Sequence, residues 1–128
     1  MTTASGTSTA TVAEELVSFC RAGDFRGALD SLYSPDIVSI ESMGDEKMPR
    51  EQKGIDAIRA KGQWWADNHV VHGTVVDGPY VGDDKFAVYY NFDVTFKPNG
   101  KRTPMEEMAL YEVKDGKIVR EQFFYRTS

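Results

Sequence analysis

The chain has 128 residues, a single cysteine and a formal net charge of −5 at pH 7, which is the length of one domain with room for a full core. The acidic balance excludes nucleic acid and anionic membrane surfaces as partners, since both need clustered Lys and Arg. One cysteine excludes a disulfide framework and a Cys-based zinc site. No apolar run approaches the ~18 residues of a membrane span, and MTTASGTSTATVAEE has neither a basic region nor a hydrophobic segment, so the expected setting is cytoplasmic.

Residues 1–10 are mostly Thr, Ser, Ala and Gly and predict a disordered tail before a single domain spanning 11–128. Thr11-Val12-Ala13-Glu14 matches a capping box with Thr11 as N-cap, and Val12, Leu16, Phe19 and Cys20 recur at helical spacing, predicting a helix over 11–22 that Gly23 ends. Cys20 lies on that apolar stripe as a packing residue. Asp24 caps a second helix, 24–33, with Phe25, Ala28, Leu29 and Leu32 inward and Ser34-Pro35 as its stop. Asp36–Glu41 is a short β-rich run. Residues 42–53 form a charged loop, either a binding lid or a solvated connector. A third helix over 54–67 carries Ile55, Ile58, Gly62 and Trp65 on one stripe with Trp64 beside it, as core and pocket wall.

Four strands follow. Val70–Val76 resumes at Tyr80-Val81 after a bend at Asp77-Gly78-Pro79. Three further apolar runs between Phe86 and Tyr125 are separated by Pro98-Asn99-Gly100 and Lys114-Asp115-Gly116, the pattern of an antiparallel meander. Helices on one side of such a sheet make an α+β domain.

Glu106 and Glu107 lie inside the middle run, and neighbours in a strand point to opposite faces, so one of them faces inward. A turn with a Gly bulge puts Glu107 opposite Asn91, on one face with Tyr89 and Asp93; a two-residue turn puts it opposite Phe92, with Tyr90 and Val94. The bulged register is the expectation. The same logic at the second turn sets Phe123 beside Glu107 and Tyr125 beside Met105, so that Tyr89, Asn91, Tyr111, Phe123 and Tyr125 surround an acid pair, Glu107 and Asp93. A carboxyl among aromatics, near a second acid, has a raised pKa and suits acid–base chemistry in a small-molecule pocket. The alternatives are a solvated outer face, or a buried carboxylate satisfied by Arg120 or a tyrosine. His72 shares a face with Val70 and Thr74 and is an acid–base candidate; His69 and His72, three apart in a strand, cannot form a facial metal pair. No metal or phosphate-binding fingerprint is present.

Three stretches, RAGDFRGALDSLYSPDIV, KGIDAIRAKGQWW and MALYEVKDGKIVREQFFY, resemble the SnoaL-like branch of the nuclear transport factor 2-like (cystatin-like) superfamily over roughly residues 12–127. The resemblance implies a cone-shaped curved antiparallel sheet wrapped around helices, a deep pocket and a homodimer. It does not imply one chemistry, because the superfamily holds isomerases, cyclases, dehydratases, epoxide hydrolases and binders. The catalytic aspartate of the ketosteroid isomerases of this fold corresponds to Glu41 here, which keeps a carboxylate base. Their oxyanion tyrosine falls on Leu16, which cannot donate, and their second donor falls within a residue or two of Met108. The arginine flanked by aspartates that marks the epoxide hydrolases is not evident.

The functional expectation is a cofactor-independent enzyme on a small, largely apolar carbonyl compound. Glu41 is the base, Glu107 or Asp93 the acid, and His72, Tyr111 and Tyr125 orient substrate; Trp64, Trp65, Tyr89, Asn91 and Phe123 line the ligand. A non-catalytic binder using the same pocket, and a structural dimer with a filled cavity, are the alternatives. The dimer is expected to pair sheet against sheet, because Phe86, Val88, Tyr90, Phe92 and Val94 would occupy one face and Tyr89, Tyr111 and Met105 the other, more than the helices cover.

Overall fold

The computed structural model describes residues 8–127. The N-cap of helix α1 (Thr9–Arg21) lies three residues before the predicted one, at Ser8 and not Thr11: the Ser8 side chain accepts the backbone N–H of Thr11 at 3.1 Å. Thr9 Oγ1 also donates to the carbonyl of Asp83 at 2.8 Å, tying the helix start to a distant turn. Seven of the ten residues predicted as tail lie outside the described ones. Val12, Ala13, Leu16 and Val17 form the buried stripe. Gly23, at φ 72°, takes the left-handed position after the helix. Asp24 then caps α2 (Phe25–Leu32) by accepting the Gly27 N–H at 2.9 Å.

The chain passes straight from α2 into β1 (Tyr33–Ile40). The charged loop contains a short strand that sequence reading misses, β2 (Glu51–Lys53), antiparallel to β1 with Val38 opposite Lys53. Three charged or polar edge residues carry no apolar alternation to reveal them. Helix α3 (Ile55–Asn68) precedes β3 (His69–Val81), β4 (Lys85–Phe96), β5 (Lys101–Lys114) and β6 (Lys117–Phe124). The strands form one curved, unclosed sheet in the order β2-β1-β6-β5-β4-β3. Only the β1–β6 pairing is parallel, and it sets residues 33–40 against the end of the chain. The expected bend at Gly78-Pro79 is a register shift between Asp77 and Tyr80; a second shift lies between Val71 and Gly73.

The β4–β5 register corrects the expectation. Phe96 pairs with Lys101 and the connection uses four residues, with Gly100 at φ 69° and its N–H bonded to the Phe96 carbonyl. Glu107 therefore stands opposite Tyr90, and Asn91 opposite Glu106. Glu107 shares its face with Val88, Tyr90, Phe92 and Val94, whereas Tyr89, Asn91 and Asp93 lie on the other. At the second turn Asp115 and Gly116 both have positive φ, as a type I′ hairpin requires. A bulge between Glu112 and Val113 then sets Phe123 opposite Ala109 and not Glu107. Its parity survives, so Phe123 still faces inward.

Helix α1 packs on β3 and β4, and α3 on β1. The core between them includes Leu16, Leu32, Ile37, Ile58, Phe86, Val88, Tyr111 and Ile118. Phe86 is among the largest fully buried side chains and stacks on Tyr111 at 4.8 Å. Phe86→Ala is expected to lower unfolding free energy by about 3–5 kcal/mol in urea titration. A loss under about 1 kcal/mol would contradict this packing.

Candidate functional site

The inward face of the sheet carries a polar cluster built from both ends of the chain. Glu121 on β6, with no exposed surface, accepts the hydroxyl proton of Tyr33 on Oε1 and that of Ser39 on Oε2, the latter at 2.7 Å. Both partners come from β1, because the parallel register puts Ser39 beside Glu121. Lys61, one turn beyond Ile58 on α3, donates to Ser39 Oγ and to Glu41 Oε2, each at 2.7 Å, and lies 3.9 Å from Glu121 Oε2. Its ammonium also stands 5.3 Å from the centre of the Phe123 ring. Glu41, just past β1, accepts the Tyr125 hydroxyl on Oε1 at 2.9 Å. Every polar atom of this inner network is thus committed to a partner, as burial demands.

Glu107 is the exception. It is largely buried on the same face, yet no hydrogen bond or ion pair among the described residues reaches it. Burial first, then the negative charges of Glu41 and Glu121, raise its pKa from 4.5 to about 7; Lys61 opposes them. Burial likewise raises the Glu121 carboxyl, against the pull of Lys61 and its two hydroxyl donors. Facing Glu107 across the strand pair, Tyr90 shares a 2.8 Å hydroxyl contact with Tyr111 and a 3.5 Å contact with the sulfur of Cys20. Burial pushes all three of these groups up, so they stay neutral, and Cys20 packs against the core as its stripe position predicts. Strand β6 stops opposite Met108. Beyond that point a groove of ≈ 540 Å³ opens, lined by Glu106, Glu107, Met108, Phe124 and Tyr125 among others.

The predicted site residues divide accordingly. Glu41, Glu107, Tyr111, Phe123 and Tyr125 are brought together on the inward face. Asp93 is not: it lies on the outer face in a two-pronged ion pair with Arg102, at 3.0 and 2.8 Å, which lowers its pKa. Tyr89 donates to Glu106 on that face, and Asn91 lines a separate, larger depression with Asp93, Arg102 and Val75. That depression is remote in chemistry as well as place, since its acid is already paired. His72 sits at the first β3 register shift, exposed, with its ring 2.7 Å from Thr95 Oγ1; the shift takes it off the inward face. Trp64 is 45 % exposed. Trp65 stacks on His69 at 4.3 Å and leans on Phe92, a wall beside the cluster and not its floor. Among the described residues, no group of three or more His, Cys, Asp and Glu is arranged to hold a metal ion, and no helix is long and apolar enough to cross a membrane.

Lys61 and Glu121 were missed from sequence. A signal existed for each. Glu121 shares strand parity with Phe123 and Tyr125, and Lys61 falls between Ile58 and Trp65 on the inward stripe of α3.

Three helices on a six-stranded curved, unclosed sheet make the nuclear transport factor 2-like, or cystatin-like, fold. The model of the SnoaL-like domain matches residues 7–125, so the chain belongs to the SnoaL-like domain family. A Mesorhizobium loti structure designated a candidate SnoaL-like polyketide cyclase, with carbohydrate phosphatase as a second designation, is 43% identical. That match covers 91% of this chain and 97% of that one, with a TM-score of 0.85. A nuclear transport factor 2-like protein from Burkholderia thailandensis superposes with a TM-score of 0.79 at 16% identity over 94% and 92% of the two chains. A Xanthomonas campestris protein of unknown function with a cystatin-like fold does so at 0.75 and 20%, over 92% and 90%. These last two show the fold alone. No curated protein sequence matches the chain.

The raised Glu107 pKa has a consequence for stability. The folded state binds this proton more tightly than the unfolded chain, so no stability is lost below pH 4.5 and it falls as pH rises toward about 7. Glu107→Gln removes that loss. With a discount for partial exposure, the variant is expected to be more stable than wild type by about 2 kcal/mol at pH 8 and equal to it near pH 4. Urea unfolding at the two pH values tests this; an unchanged or reversed difference would contradict the desolvated assignment.

Proposed function

We propose that this SnoaL-like protein is a cofactor-independent acid–base enzyme acting on a small, largely apolar carbonyl compound, with Glu107 as the group that carries the proton. The observation behind this reading is a mostly buried carboxyl at the wall of a groove, without a protein partner, whose pKa, about 7, lies at the working pH, where general acid–base catalysis is most effective. Glu41, the base expected from the resemblance, has both oxygens already accepting, from Lys61 and Tyr125. Its part is to supply the negative charge that keeps Glu107 basic. The hydroxyls of Tyr90 and Tyr111 are buried and bonded to each other, so they back the site and do not reach substrate.

Ionised Glu107 takes a proton from carbon α to a carbonyl. In an isomerisation it returns that proton to another carbon. In a cyclisation the enolate carbon bonds to a second carbonyl carbon, and the resulting alkoxide takes the proton back from Glu107, leaving the carboxylate as it began. The polyketide-cyclase designation of the Mesorhizobium loti relative supports the cyclisation; its second designation, a phosphatase, is a hydrolysis. The test is turnover of a panel of ketones, linear polyketones and epoxides. Glu107→Gln should lower kcat about 100-fold or more. Glu41→Gln removes a negative charge and should move the rising limb of the pH profile, near 7 in wild type, to lower pH. Full turnover by Glu107→Gln would refute the assignment.

The full occupancy of Glu41 also favours a second reading, a binder of a small molecule without chemistry. Ligand retained through native mass spectrometry, with no turnover across the panel, would select it.

A homodimer is part of the proposal, with its surface revised. Tyr111 and Met105 belong to the inward set, and the outer face instead presents Val75, 57 % exposed, with Met108, Leu110 and Phe124. Such a face supports isologous sheet pairing. Light scattering at micromolar concentration should give twice the chain mass, and Leu110→Glu should halve it. A wild-type monomer would refute the pairing.

A further inference from the structure

The acid–base reading leaves open why, of three carboxyls on one face, a single one is left without a partner. Among the described residues, Lys61 is the only ammonium or guanidinium bonded to the side chains of this cluster; Arg50 reaches only the Glu41 carbonyl. Its side chain is 16 % exposed, so its charge is poorly screened by water. Two of its three protons are spent on Glu41 and Ser39, and Ser39 in turn donates to Glu121. The ammonium is thereby triangulated from two elements: β1 supplies Ser39, with Glu41 just past it, and β6 supplies Glu121. The Phe123 ring closes a fourth side.

We propose that Lys61 is the positioning residue of the site: braced by Ser39 and Glu121, it is tied into an ion pair with Glu41 and held off Glu107, so that Glu107 alone remains the exchangeable acid. The proposal rests on reading this pocket as an acid–base site, and it adds the device that assigns the roles. On the inward side the titratable groups around Glu107 are Glu41 and Tyr33 from β1 and its end, Lys61 from α3, Tyr90 from β4, Tyr111 from β5, and Glu121 with Tyr125 from β6 and beyond, while Cys20 of α1 reaches the group through Tyr90. On the groove side Tyr89, Glu106 and Arg126 share its wall with Glu107. Lys61 is the cation whose charge acts on Glu107. It lowers the Glu107 pKa that Glu41 and Glu121 raise, so removing it and removing an acid must act in opposite directions.

The test is a carboxyl-carbon NMR titration of Glu107 in the free, full-length protein, which needs no substrate. Lys61→Met should move the Glu107 midpoint upward by about one pH unit, and Glu121→Gln downward by a comparable amount. Lys61→Arg keeps the charge and should restore the wild-type midpoint to within a few tenths. If Lys61→Met does not fold, Lys61→Gln, which keeps hydrogen-bonding capacity without charge, makes the same measurement. A Glu107 midpoint unmoved by loss of the charge, or moved the same way by Lys61→Met and Glu121→Gln, overturns the proposal. Turnover is independent of this outcome. Opposed shifts without turnover would leave the positioning role standing and remove the enzymatic reading. Glu107-dependent turnover with unmoved midpoints would do the reverse.

Discussion

A carboxylate cannot be taken fully out of water unless donors replace its hydration, and Glu121 has no exposed surface. Much of the inward face follows from that constraint. Its donors, Tyr33 and Ser39, come from β1, and they can reach it because β1 runs parallel to β6, with Ser39 directly beside Glu121. Its nearest cation, Lys61, comes from α3, which packs over β1. A single buried charge therefore fastens together three elements from the two halves of the chain. Satisfying it also leaves Lys61 turned toward Glu41 and away from Glu107.

The two faces of the sheet contrast in what an ion pair is worth. Asp93–Arg102 on the outer face has good two-pronged geometry, but both side chains are about half exposed, and such pairs contribute little. The Lys61–Glu41 pair, at 2.7 Å, is of similar length, but it sits where solvent is largely excluded, so each charge there changes the proton affinity of its neighbours. The proposed chemistry accordingly falls to the inward cluster, although the wider depression is on the outside.

Much of the fold was legible in the sequence. Three apolar stripes at helical period gave α1, α2 and α3 within three residues, and the turn residues gave the late hairpins. The closing stretch MALYEVKDGKIVREQFFY carried the family resemblance that the domain match sustains. The site was legible only by halves. Strand parity separates Glu106 from Glu107 whatever the turn, so one inward acid was certain. Which cross-strand residues join it depends on loop length, and a four-residue loop at Lys97–Gly100 replaced Tyr89, Asn91 and Asp93 with Tyr90 and its neighbours. Pairing between sequence-distant strands leaves no local trace. Nothing near Ser39 announces that it will lie beside Glu121, and Lys61 reads as a helix surface lysine until β1 is placed beneath it.

Everything here turns on Glu107 being a desolvated, unpaired acid facing the inner cluster. The most direct measurement is the titration midpoint of its carboxyl carbon in the wild-type protein, assigned by comparison with Glu107→Gln. A midpoint near 7 is the predicted result. A midpoint near the ordinary 4.5 would mean that water or a cation reaches Glu107, and would contradict the account.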